Sequence, residues 1–255
     1  MGEAGRISWG RLILGVLCAL PVAGVLAALI GPLVATSLAG GNHYQIRDNA
    51  MAPALIVGDW VLAEPLDPGE LPERGDIVVY DDPGGSGEAR IMRVVGLPGE
   101  RVQMRGGALY IDGQRALMER VGENVAAKRP PGRRAPMPRC LNDPVPLGAA
   151  CHQEVWRETL PDGTSGLVLN SSRRIGLARP ASSEGGDDTT LFTVPPDRVF
   201  VMGDNRDHAL DSRFRPHGAV PLENLRYRVS MIHTSLDLTS RFPRPRWERF
   251  FRTVP

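Results

Sequence analysis

Residues 46–59 read IRDNAMAPALIVGD: a polar turn, a Met-x-Pro-x-Leu stretch, then a Gly-Asp pair leading into an apolar run. This is the make-up of an active-site loop, yet the place where a hydroxyl nucleophile belongs holds Ala50. Further along, GDNRDHALDSR at 203–213 gathers aspartates, arginines and His208 in one short stretch. Carboxylates and guanidinium groups at that spacing offer ion pairing, and arginine stays protonated, so it cannot act as a general base. A buried lysine can, but lysine occurs once, as Lys128, next to the run RPPGRRAPMPR. We expect it in an exposed proline-rich loop, away from any apolar burial site. Metal and cofactor chemistry is not expected: neither Cys140 nor Cys151 has a CxxC partner, and the five histidines are scattered.

The segments around these residues read as strands. DWVLAEPL, GDIVVYDD and ARIMRVVGLPGERVQMRGGALYIDGQ are apolar, rich in β-branched residues and bounded by Gly, Pro and Asp. No stretch between 42 and 115 keeps a 3.6-residue period. Residues 119–195 look like an irregular insertion, with the basic proline-rich run near its start and ASSEGGDDTT near its end. Strand-like patterns return at DRVFVMGD and NLRYRVSMIHTS. The fold class expected is mainly β over 42–240, followed by a basic aromatic tail, RFPRPRWERFFRTVP, at 241–255. That tail either lies on a membrane surface or packs as a cap.

The N-terminal residues are different. From Leu12 to Gly41 there is no charged residue, and ~20 apolar residues suffice for a helix to cross a bilayer. A cleaved signal peptide would have a shorter apolar stretch, ~7–15 residues, so we expect a transmembrane anchor at 12–39. Arg6 and Arg11 precede it against Glu3 alone, which puts residues 1–11 in the cytoplasm and the main domain outside. In an oxidising compartment, Cys140 and Cys151 are expected to form a disulfide. Lys and Arg total 30 against 29 Asp and Glu, so no net field steers the chain to nucleic acid.

Four stretches in order, AMAPAL at 50–55, GDWVLAE at 58–64, RGDIVVY with RIMRVVGLPGERV at 74–102, and GDNRDHALDSR at 203–213, resemble the successive boxes of bacterial type I signal peptidases. The resemblance extends over most of the chain from 42 to about 235. It implies a signal-peptidase-type β-rich domain on the outer face of the bacterial inner membrane, periplasmic and single-pass. Lipid would be one partner, and signal peptides of exported preproteins or an active signal peptidase the others. Family members use a serine–lysine dyad in which desolvation lowers the lysine pKa so that it can take the serine proton. The acyl-transfer oxyanion is held by a hydroxyl and a backbone N–H.

Carried over position by position, the resemblance places the nucleophile at Ala50, the base at Met92 and the oxyanion-stabilising serine at Asp48. The box threonine is Ala54 and the last-box serine is Ala209. What matches is frame: Met51, Pro53, Leu55, Gly58, Asp59, Arg93, Gly203, Asp204, Asn205, Arg206, Asp211 and Arg213. Apolar residues at the family's cleft positions, Tyr44, Ile46, Met51, Leu55 and Ile91, suit the small side chains of a cleavage site and equally suit a core. Alanine has no nucleophilic atom, methionine carries no proton, and a carboxylate at 48 opposes developing negative charge. The expectation is a pseudo-peptidase that keeps the fold and binds extended segments as an added strand. The alternatives are an active peptidase with a non-standard Asp48- or His208-based site, and a membrane-bound assembly partner.

Overall fold

Short runs of β-branched and aromatic residues, cut by glycine and proline turns, favour strands over helices. The computed structural model describes residues 40–67, 69–84, 87–128, 140–171, 186–215, 217–238 and 242–254. Its strands are β1 (Asn42–Gln45), β2 (Asp59–Pro65), β3 (Ile77–Asp81), β4 (Ala89–Gly96), β5 (Arg101–Arg105), β6 (Ala108–Ile111), β7 (Gln114–Arg115) and β8 (Leu117–Ala127). They continue with β9 (Ala150–Thr159), β10 (Ser165–Leu169), β11 (Phe192–Thr193), β12 (Arg198–Met202), β13 (Val220–Pro221), β14 (Leu225–Asp237), β15 (Arg244–Pro245) and β16 (Arg252–Thr253). The mainly-β expectation holds.

The large sheet runs β1-β2-β14-β3-β4-β12-β13, with β15 and β16 also paired to β14. One apolar cluster packs on it, taking Val61, Ala63, Val78, Val94, Val201 and Ile232 from five of its strands. A second sheet, β11-β5-β6-β7, has its own cluster around Met104, Leu109 and Phe200. A third runs β10-β9-β8. This third sheet corrects the reading of 119–195 as irregular. β8, β9 and β10 form a regular antiparallel sheet, with Asn124 opposite Gln153 and Val168 opposite Trp156. The pattern was hidden because β8 is largely solvent-exposed and carries mixed charge rather than an apolar stripe. Residues 129–139 and 172–185 lie outside the described residues, as does the expected anchor at 12–39. No helix among the described residues is long and apolar enough to cross a membrane.

Residues 242–254 pack as a cap. β16 pairs with β14, and Arg249 is 8% exposed with its guanidinium on Asp59. Trp247 and Phe242 in the same segment face outward.

The His43 and His233 rings meet edge to face, with Nδ1 and Nε2 3.2 Å apart. Burial first, and the neighbouring His43 second, push His233 from 6.5 down to about 4. Burial also lowers His217, whose Nε2 lies 2.7 Å from the Tyr80 hydroxyl. Because these folded-state values are depressed, the unfolded chain takes up protons the native chain refuses as pH falls below 6.5. Stability is therefore expected to decline between about pH 6.5 and 4. Urea midpoints across that window check it, and His233→Phe should flatten the decline.

Candidate active site

The loop 46–58 is closed at its neck by backbone bonds. Ile46 N–H donates to Asp59 O at 2.8 Å, Gly58 N–H to Ile46 O at 3.1 Å, and Leu236 N–H to Gly58 O at 3.0 Å. Gly58 sits at φ +97°, and a Cβ there would lie 2.0 Å from Leu236 O, so only glycine fits. Asp59 is fully buried. One oxygen accepts from Ile56 N–H at 2.9 Å, and both take the Arg249 guanidinium at 3.0 and 2.6 Å. Arg249 Nη2 also donates to Ala54 O at 2.8 Å. The loop is thus pinned from β2, β14 and the C-terminal cap together. The Ala52–Pro53 peptide is cis.

Ala50 and Met92 meet in one apolar cluster, at 5% and 4% exposure. Ile46, Met51 and Leu55 are buried in that cluster, while Tyr44, Ala54 and Ile91 are partly exposed against it. Met92 faces Val78 across β3 and β4. The exposed Asp48 turns its carboxylate onto the loop: Oδ1 accepts the Ala50 N–H at 3.0 Å. The backbone donor of residue 50 is therefore already taken by a carboxylate oxygen.

The GDNRD segment abuts the loop. Asn205 N–H donates to Ala50 O at 2.9 Å. Gly203 lies so close that a Cβ would come within 2.6 Å of Ala50 O and 2.3 Å of the Ala209 Cβ. Overpacking of this kind costs roughly 1–3 kcal/mol, so Gly203→Ala is expected to lower stability by about 3 kcal/mol, read from the denaturant midpoint.

Behind the contact lies a network of buried ion pairs. Arg93 grips Asp204 with two bonds of 2.8 Å and reaches Gly75 O with a third. Arg213 holds Asp211 through Nε and Nη2 at 2.8 and 2.9 Å, and donates to Arg206 O. Arg206 in turn clasps Glu158 of β9 through both Nη atoms. Burial works against the Arg206 charge, but Glu158, Asp204 and Asp211 outweigh it and hold the guanidinium above the usual arginine range. Glu158 and Arg249 are not marked by the sequence. Glu158 lies 48 residues from Arg206 and Arg249 lies 190 from Asp59, both fall outside every box, and no local signal marks them.

Lys128 is not in an exposed loop. It directly follows β8, donates its N–H to Ala149 O, and its Nζ meets Asp143 at 2.5 Å with the side chain 10% exposed. It also shares a cavity wall with Asn49 and Ala52. His208 is buried at 2% exposure, so an arriving substrate would not reach it without rearrangement. Cys140 and Cys151 form the expected disulfide.

The family model described as signal peptidase, peptidase S26, matches residues 17–234. Signal peptidase I of Rickettsia canadensis (strain McKiel) is 30% identical over 168 residues, which is 66% of this chain and 54% of that protein. The enzyme of that name from Rickettsia typhi (strain Wilmington) is 29% identical over the same shares. The chain thus spans about half the length of the curated relatives it matches. A crystal structure of a signal peptidase I from Enterococcus faecalis V583 matches at 23% identity, covering 61% of this chain and 94% of that one, with a TM-score of 0.29. Since the family match runs through the loop, the third box and the last box alike, the chain belongs to the signal peptidase, peptidase S26 family.

Proposed function

We propose that this chain is a membrane-tethered pseudo-peptidase, which keeps the frame of the signal-peptidase site and holds extended segments of exported polypeptides without cutting them. One observation carries the reading: the side chains at the two reactive positions, Ala50 and Met92, are both apolar and both buried in one cluster. Neither supplies a nucleophile or a base, and the Asp48 carboxylate engages the amide that would meet an oxyanion. The pinned neck of the loop, with its bonds to Asp59 and Arg249, supports a retained peptide-binding shape. The non-standard peptidase is less favoured, because Asp48 is spent on the loop itself and His208 is buried.

The test uses the full chain in detergent micelles. Overnight incubation with a preprotein followed by intact-mass analysis is expected to show no product, and a labelled signal peptide is expected to bind. A product would overturn the inactive half of the reading. Absence of binding under conditions where an active relative binds would overturn the other half.

A further inference from the structure

The five histidines are scattered in the sequence, yet two of them meet in the fold: His43 of β1 and His233 of β14, 190 residues apart. β2 lies between those two strands. Tyr44, the next residue of β1, packs with Tyr227 against the large apolar cluster. Side chains alternate along a strand, so His43 stands on the opposite face of the sheet, away from the core. The two imidazoles reach toward each other over β2 on that outer face, and both are partly exposed.

Their contact has the dimensions of a shared ligand. His43 Nδ1 and His233 Nε2 are 3.2 Å apart, with ring centroids 4.9 Å apart and ring planes at 88°. Rings meeting end to end across that nitrogen separation would hold their centroids farther apart. The two nitrogens are therefore not aimed straight at each other, as a strong N–H···N bond prefers, and an ion bound to both would sit off the line that joins them. Two imidazole nitrogens each ~2.0–2.1 Å from a tetrahedral Zn²⁺ stand about 3.3 Å apart; at the right angle of a tetragonal Cu²⁺ site, with bonds of the same length, they stand about 2.9 Å apart. The separation found fits the tetrahedral case. The far nitrogen of His233 fits it too, since Nδ1 lies 3.0 Å from Thr234 Oγ1. With the Nδ1 proton given to that oxygen, Nε2 keeps its lone pair and the ring is held in orientation. No third His, Cys, Asp or Glu joins the pair among the described residues. Two positions of a tetrahedral ion are thus left to water, which makes the site open and the ion exchangeable.

We propose that His43 and His233 form a zinc site that clamps β1 to β14 across β2. β1 is an outer strand of four residues. Ile46, the residue after it, donates its N–H to Asp59 O at the neck of the 46–58 loop. A metal bridge here fastens the strand that leads into that loop. Zinc at this place is independent of whether the chain cuts peptides or only holds them.

The probe is Zn²⁺ alone, titrated by calorimetry at neutral pH into the chelator-treated full chain in detergent micelles. One ion per chain is expected, with a Kd of about 10–100 µM, and zinc should raise the urea midpoint until EDTA removes it. His43→Phe and His233→Phe should each weaken binding about tenfold or more. His43→Cys, which keeps a ligand, should still bind and still show the zinc-dependent rise; a pair that only packs would not be rescued in this way. His152, beside Glu123 on the surface, is the control, and His152→Gln should change nothing. No heat up to about 1 mM Zn²⁺, or binding that ignores both phenylalanine variants, would overturn the proposal. Binding lost in His152→Gln instead would mark an adventitious ion only and would equally overturn it.

Discussion

The triple variant Asp48→Ser, Ala50→Ser, Met92→Lys is expected to cleave a preprotein, and the natural chain is expected to leave it intact. A serine at position 50 would restore the attacking hydroxyl on a loop whose place is already fixed by the Asn205 N–H on the residue-50 carbonyl. A lysine at position 92 would enter a site that is 4% exposed and faces Val78, where desolvation lowers its pKa toward the neutral form a base requires. The change at position 48 has its own effect. While a carboxylate holds the residue-50 N–H, that amide is withheld from the oxyanion and negative charge stands where more must develop. Loss of one oxyanion donor costs ~10²–10³ in kcat, so the double variant that keeps Asp48 should trail the triple by about a hundredfold. Product formation followed by mass spectrometry decides this. A folded triple variant that yields no product would show that the frame, and not only its reactive groups, has diverged.

Arg206→Met should be the most damaging single change in the scaffold. Arg206 and Glu158 are both buried, at 4% and 3% exposure, and the guanidinium contacts the carboxylate through both Nη atoms. Removing one partner of a buried pair leaves an uncompensated charge and costs ~3–5 kcal/mol, a large share of the ~5–15 kcal/mol that holds a domain folded. The damage reaches further than the pair. Arg206 N–H donates to Leu169 O and Leu169 N–H to Asp204 O, so the same residues fasten β10 to the last box. The companion variant Arg206→Met with Glu158→Leu removes both charges and is expected to recover most of the loss. Urea midpoints of the three proteins check it. A double variant no better than the single would assign the role to the Arg206 contact with Gly203 O rather than to the ion pair.

The loop and the strands before residue 115 were legible because they carry their instructions locally. Val78, Val79 and Tyr80 belong to a short, β-branched apolar run bounded by turn residues, which reads as a buried strand, and Gly58 and Gly75 mark backbone at positive φ. The residue types at positions 50 and 92 were equally legible, since reading an alanine and a methionine needs no geometry. β8 was not, because LMERVGENVAA has no alternation to display: its partner β9 supplies the register and most of its surface is in water. The role of Asp48 was half legible. Its charge could be read from its type, but the bond to Ala50 N–H belongs to the turn. Lys128 was misplaced because its proline-rich neighbours suggested a loop, while its own backbone continues the β8–β9 pairing through Ala149 and Gly148. The pairs Arg206–Glu158 and Arg249–Asp59 were illegible because nothing in a one-dimensional string joins positions so far apart.

That last pair sets a timetable for the molecule's birth. Asp59 is completely buried, and the guanidinium that neutralises it arrives 190 residues later. A nascent chain made from its N-terminus must therefore postpone sealing the 46–58 loop until Arg249 has been added, since closing it earlier would strand a carboxylate in a dry interior. The loop that carries Ala50 is among the first parts of the domain to be written and is expected to be among the last to set. A chain cut just before Arg249 would fail first at that loop, although 190 residues of sequence separate the cut from Asp59.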